Sequence, residues 1–125
     1  MTTPTTTTST CATRIELVDN WHANWPAVLE SIDEHGHRPR LRIDADGWLS
    51  ARQVLLAAFC GERVAGHLCF DIEPVAAAQH PVPVRARLNA FGIMPGFELV
   101  EVEPMLRSAA AKRADELRIN QRIGF

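Results

Sequence analysis

Three glutamates, Glu98, Glu101 and Glu103, fall within six residues, immediately ahead of an alanine-rich stretch. Clustered carboxylates supply the oxygen ligands that hard cations take, so a cation site is the first chemistry they offer. The plainer alternative is that they open a helix, whose N-terminal dipole favours acids. No histidine stands close by in the chain to complete a ligand set, and the helical role is the better reading. Histidines occur at positions 22, 35, 37, 67 and 80. His35-Gly36-His37 is the one close pair. It can take a metal with Asp33 or Glu34, or it can end a helix, where cationic side chains meet unpaired carbonyls. His67 sits in an apolar run and reads either as a general base or as an ordinary strand residue. No G-x-S-x-G, P-loop, H-E-x-x-H or G-x-G-x-x-G is present, so the sequence names no catalytic residue, and no metal is expected.

The cysteines, at 11, 60 and 69, are odd in number and contain no C-x-x-C pair. That pattern is neither a disulfide framework nor a zinc ribbon. Cys60 and Cys69 read as small apolar core residues, with a thiol lining a pocket as the other possibility. Trp21, Trp25 and Trp48 offer a stacking surface, but Trp21 and Trp25 share a helical face, which favours core packing.

The elements that position these residues follow from periodicity. Arg14–Val18 alternates as a half-buried strand. Asp19 or Asn20 can cap a helix carrying Trp21, Trp25, Val28, Leu29 and Ile32, which Gly36 ends. His37–Asp46 is a short strand or an extended loop, and Asp46-Gly47 a turn. The apolar runs Gln53–Cys60 and Val64–Ile72 flank Gly61-Glu62 and predict an antiparallel hairpin covered on both faces. Glu73–Pro83 reads as a loop and Val84–Met94 as the next strand, stopped by Pro95-Gly96. A helix from about Glu103 to Arg118 places Pro104 in its first turn and lines up Leu106, Ala110, Ala114 and Leu117. Ile119–Phe125 forms a final short strand. The sum is a mixed α/β (α+β) layer with a mainly antiparallel sheet flanked by helices.

Bulk properties narrow the class. With 125 residues, 46% hydrophobic and 22% charged, the chain suits one compact domain over residues 14–125. The net charge of −2 and scattered arginines give no case for nucleic acid or an anionic membrane surface. No apolar run reaches the length of a membrane-spanning helix. Residues 1–13 are Thr-rich and polar, without the basic start and apolar middle of a signal peptide, so a disordered tail and a cytoplasmic protein are expected.

With this element order, two local motifs resemble the GNAT (acyl-CoA N-acyltransferase) family. Leu55 to Leu68, with its turn Gly61-Glu62 and the Gly66 that follows Val64-Ala65, is similar to the family's second and third strands. Ile93-Met94-Pro95-Gly96-Phe97, followed by a helix with Leu106, Ala109, Ala110 and Ala114, is similar to the end of its fourth strand and the next helix. The resemblance implies an acetyl-CoA site at Ile93, Met94, Glu98, Glu101, Val102 and Glu103. At that site it departs from the family pattern. Glu98 stands where an arginine or glutamine belongs, and Glu101 and Glu103 stand where small residues belong.

In the family this loop wraps a pyrophosphate with backbone amides at a helix N-terminus, where an anion is favoured and glycine permits close approach. A carboxylate about 6 Å from a phosphate charge repels it by about 3 kcal/mol at an effective dielectric near 20, and by less when solvated. The family's tyrosine acid is also missing, because the chain contains no tyrosine, and the elements that follow the fifth strand are not present by Phe125. The expectation is a GNAT-like domain with a degenerate motif and no cofactor, which has lost acetyl transfer and acts as a binding or regulatory module toward a small molecule not identified. The alternative is an active N-acyltransferase using acetyl-CoA or another acyl-CoA. An uncovered sheet edge near Ile123 and Phe125 leads further to an expected homodimer.

Overall fold

The computed structural model describes residues 11–75 and 83–125. The expected tail lies outside them up to residue 10, and so does most of the expected loop 73–83. Strand β1 (Thr13–Val18) is followed by helix α1 (Trp25–Glu34) and a 3-10 turn (Arg38–Arg40). Then come β2 (Gln53–Cys60), β3 (Arg63–Pro74), β4 (Val84–Ile93), helix α2 (Leu99–Glu116) and β5 (Gln121–Ile123). The sheet order is β1-β2-β3-β4-β5. The first four strands are antiparallel neighbours, and β5 runs parallel to β4, which α2 makes possible as the crossover. Among the described residues no helix is long and apolar enough to cross a membrane.

The hairpin is covered on both faces, as its unbroken apolar run requires. Val54, Leu56 and Ala58 of β2 face α2, together with Leu68 and Phe70 of β3. Leu55, Ala57 and Phe59 face the opposite way, toward Val28 and Ile32 of α1. Helix α2 presents Val102, Leu106, Ala110 and Ala114 at an unbroken spacing of four. Leu117, expected to extend that stripe, lies past the helix end and is exposed.

Three features differ from the sequence reading, two of them helix boundaries. Helix α1 starts at Trp25, because Asp19 closes a separate turn by accepting from the amide of Trp21 (2.8 Å). Pro26 explains the late start, since a missing amide is harmless only in a first turn. Trp21 is therefore off the helix and 74% exposed, edge-on to Trp48 at 5.5 Å. Helix α2 starts at Leu99, four residues earlier than expected. The Glu98 carbonyl accepts from Glu101 and Val102, and Val102 anchors the opening turn in the core. Pro104 thus sits inside the helix rather than in its first turn.

The third difference is covalent. Cys11 and Cys60 form a disulfide with Cα atoms 5.5 Å apart, so Cys60 is not a free core residue. The antiparallel register sets Thr13 opposite Cys60, which brings the start of β1 beside the end of β2.

Two irregularities shape β4. Gly66 pairs beside it so closely that a Cβ there would lie 2.7 Å from the Gly92 carbonyl oxygen. The register against β3 shifts between Cys69 and Phe70, leaving Asn89 as an extra residue on β4. Such a bulge bends its strand. Pairing with β5 covers Arg85–Arg87, and Gly124 just beyond it still lies so close to β4 that a Cβ there would be 2.9 Å from Leu88 Cβ. Phe125 then packs on Phe70, with ring centroids 5.0 Å apart.

Two stability predictions follow. Gly66→Ala must push backbone against backbone and should cost about 1–3 kcal/mol by urea unfolding; an unchanged midpoint would show the strands are not so close. The disulfide spans 49 residues of sequence, and loop-closure entropy puts its loss at about 4 kcal/mol. Cys11→Ser should therefore lower the urea midpoint, and added reductant should then have no further effect.

Candidate functional site

On the α1 side of the sheet, over β3 and the end of β4, side chains from three elements meet. Ser31 of α1 is buried against β3, and its Oγ lies 3.0 Å from Nδ1 of His67. Nε2 of His67 lies 2.9 Å from Nδ1 of His37. The chain thus runs from a buried hydroxyl through a buried imidazole to a half-buried one. His35 stands beside them, its ring 5.2 Å from that of His67 and 5.6 Å from that of His37. Its Nδ1 donates toward the Ser31 carbonyl (2.8 Å) and its Nε2 toward the Ile93 carbonyl (3.0 Å). Both acceptors are carbonyl oxygens, so a neutral ring makes one of these bonds and an imidazolium makes both. The ring fits because Gly92 has no side chain, and a Cβ there would lie 2.6 Å from His35 Cδ2.

Burial pushes the His67 imidazole down to about 3, with the nearby charges of His37 and His35 adding to the effect. His37 is lowered by burial first, then by Arg40 and His35. Both rings are therefore neutral at pH 7. Neutral imidazoles joined nitrogen to nitrogen can pass a proton along the chain, and His37, held in orientation by His67, has the form of a supported base. The sequence reading weighed His67 and the His35–His37 pair separately and missed Ser31. The spacing of four between Ser31 and His35 was the available signal, since it puts them on one helical face. Among the described residues no group of His, Cys, Asp or Glu has the arrangement of a metal site.

The positions implied by resemblance lie around the start of α2. The Ile93 carbonyl is taken by His35, and the Met94 amide donates to the Ala65 carbonyl at 2.8 Å. Glu98 is the N-cap residue and makes no side-chain cap bond. Glu101 lies in the first turn, and both it and Glu98 are exposed. Val102 is buried in the core. Glu103 pairs with Arg107 at 2.7 Å, and Arg107 also donates to the Gly124 carbonyl at 3.0 Å. The three glutamates do not converge, because residues two apart point to opposite sides of a helix. Arg63, stacked on Phe97 at 4.9 Å, is the cation beside this loop.

A pyrophosphate at this helix start would meet two carboxylates and one arginine, with side chains where the resemblance implies small residues. The residues present do not fit that group. Neither Cys60 nor Cys69 is the reactive pocket thiol weighed from the sequence, because Cys60 is in the disulfide and burial, with Asp71 nearby, pushes the Cys69 thiol up to about 12.

Comparison with solved structures places this geometry. One match is an aminoglycoside acetyltransferase from an uncultured soil metagenomic sample, with TM-score 0.69 and 9% identity, over 89% of this chain and 75% of that one. The fold is that of the GNAT acetyltransferases. A ribosomal-protein-alanine N-acetyltransferase from Brucella melitensis biovar Abortus 2308 matches with TM-score 0.63 and 15% identity, over 90% and 78% of the two chains. A transcriptional regulator from Bacillus halodurans C-125 matches with TM-score 0.61 and 17% identity, over 90% and 80%. No protein-family model matches the sequence, and no curated protein matches it. The likeness to the GNAT fold is therefore one of backbone course, at identities too low to carry residues across.

The histidine chain makes stability depend on pH. His67 titrates near 3 when folded and near 6.5 when unfolded, so the unfolded chain takes up the proton first as pH falls. Its contribution is complete above about pH 6.5 and drains toward pH 3 at up to about 1.4 kcal/mol per unit. Urea unfolding across this window should show a shallower slope for His67→Gln than for the parent. Identical slopes would place the titration elsewhere.

Proposed function

We propose that this GNAT-fold domain does not use acyl-CoA and acts as a binding or regulatory module. The observation that carries the reading is the start of α2. A helix N-terminus attracts anions through its unpaired amides and its dipole, and here Glu98 and Glu101 already supply negative charge at that place. The Met94 amide is committed to the Ala65 carbonyl within the chain, and the Ile93 carbonyl lies within reach of His35 Nε2. Those acids stabilise the helix in the role a bound anion would otherwise fill.

A second reading, an acyl-CoA-dependent N-acyltransferase with an altered loop, is favoured by one observation. His37 is neutral at pH 7 and held by His67 at the same end of the sheet, the arrangement of a base that takes a proton from an amine.

Isothermal titration with acetyl-CoA separates the two. No saturable binding is expected at sub-millimolar concentration, and a micromolar dissociation constant would overturn the proposal in favour of the enzyme. Glu98→Arg with Glu101→Gly should create or tighten binding at least about tenfold if charge at the helix start is the obstacle. The glycine itself costs about 1 kcal/mol of helix stability.

A further inference from the structure

We propose that a second copy of this chain adds its β1 to the outer edge of β1, joining two sheets across a two-fold axis at Ile15. Among the described residues no strand pairs with β1 on that side, so alternate residues of its six turn backbone N–H and C=O groups outward. Edges of this length are usually defended by proline, lysine or a bulge. Strand β1 contains neither residue, and its register against β2 is unbroken.

Its charges are self-complementary. An antiparallel pair centred on Ile15 sets Ile15 against Ile15, Thr13 against Leu17, and Arg14 against Glu16, so both opposite-charge contacts arise from one symmetry operation. Both side chains are already oriented along this face of the sheet. Arg14 lies over the Phe59 ring at 5.0 Å and reaches the Gly61 carbonyl, and Glu16 pairs with Arg14 of its own chain at 2.5 Å and with His22 at 2.6 Å, so the two-fold sets two such pairs side by side. Arg14 and His22 hold the Glu16 carboxyl below the usual range, so it stays charged well into acid.

The other face of the edge is apolar. Leu17 is 48% exposed, and Ile15 borders a shallow groove of about 400 Å³ shared with Pro104, Met105 and Ala109 of α2. Met105 and Leu117 stand exposed along the same side of the molecule. A second copy would cover this strip with its own Leu17 and Met105. The opposite edge of the sheet offers less, because β5 is three residues long and Phe125 is packed on Phe70. The interface expected near the C-terminal segment therefore moves to β1.

Light scattering on the full chain at micromolar concentration should give twice 13.9 kDa. Arg14→Glu and Glu16→Arg each set like charges against each other across the axis, and each should be monomeric. An equimolar mixture of the two variants restores both opposite-charge contacts and should form a one-to-one dimer, which also shows that both variants fold. Hydrogen exchange should slow at alternate amides of residues 13–18 when the dimer forms. A parent of 13.9 kDa overturns the proposal. So does a dimer indifferent to both charge changes, such as one built on Trp21 and Trp48, or a mixture that stays monomeric.

Discussion

Strands β2 and β3 have no wet face, and a polar side chain on a dry strand is tolerable only if the covering layer supplies its partners. Most of the distinctive features of the domain meet that demand. His67 points into the layer under α1, and Ser31 and His37 arrive from the helix and the turn after it to pair both of its nitrogens. Asp71, further along β3, accepts from Gln53 and Asn89. Gln53 and Asn89 in turn donate to the Arg40 carbonyl and so fasten the 3-10 turn to the sheet. The bulge at Asn89 serves the same network, since its own carbonyl accepts from Arg40. The buried polar groups thus decide where α1 ends and where the following segment lies.

The two faces of the sheet are held differently. The α2 side is apolar throughout, with small alanines letting the helix sit close to the strands. The α1 side mixes an apolar cluster with the histidine chain and the Asp71 network. Polar recognition or proton movement belongs on the α1 side, where groups are oriented by partners. The α2 side supplies the rigid support. The start of α2 joins the two, because the loop before it leaves β4 at the Ile93 carbonyl that His35 engages.

Much of the fold was legible because its signals are local. The hairpin, the alternating β1, β4 and the spacing of four in α2 are all periodic patterns in neighbouring residues. What escaped depended on choices between equivalent local signals or on distant residues. Asp19 offers its carboxylate equally to a helix start or to a tight turn, and Pro26 settles the matter. Pro104 fits a first turn so well that it hides a helix already begun at Leu99, where burial of Val102 outweighs the missing amide. The disulfide and the histidine cluster join residues 49 and 30 or more positions apart. No spacing rule reaches that far. The glutamates were recognised as a group, yet their divergence and the Glu103–Arg107 pair became visible only with the helix register in place.

The strand order, in which each strand lies beside its neighbour in the chain, has a consequence for how the molecule is made. The β2–β3 hairpin, joined by Gly61-Glu62, keeps its contacting residues near one another in sequence, which favours quick formation, whereas β1 reaches β2 only across α1 and the 3-10 turn. Strands β1 to β4 can still assemble in the order of synthesis. Strand β5 is different, because a parallel partner for β4 cannot dock until the whole of α2 has crossed the sheet. Until it docks, the sheet has four strands and Phe70 lacks the cover that Phe125 gives it.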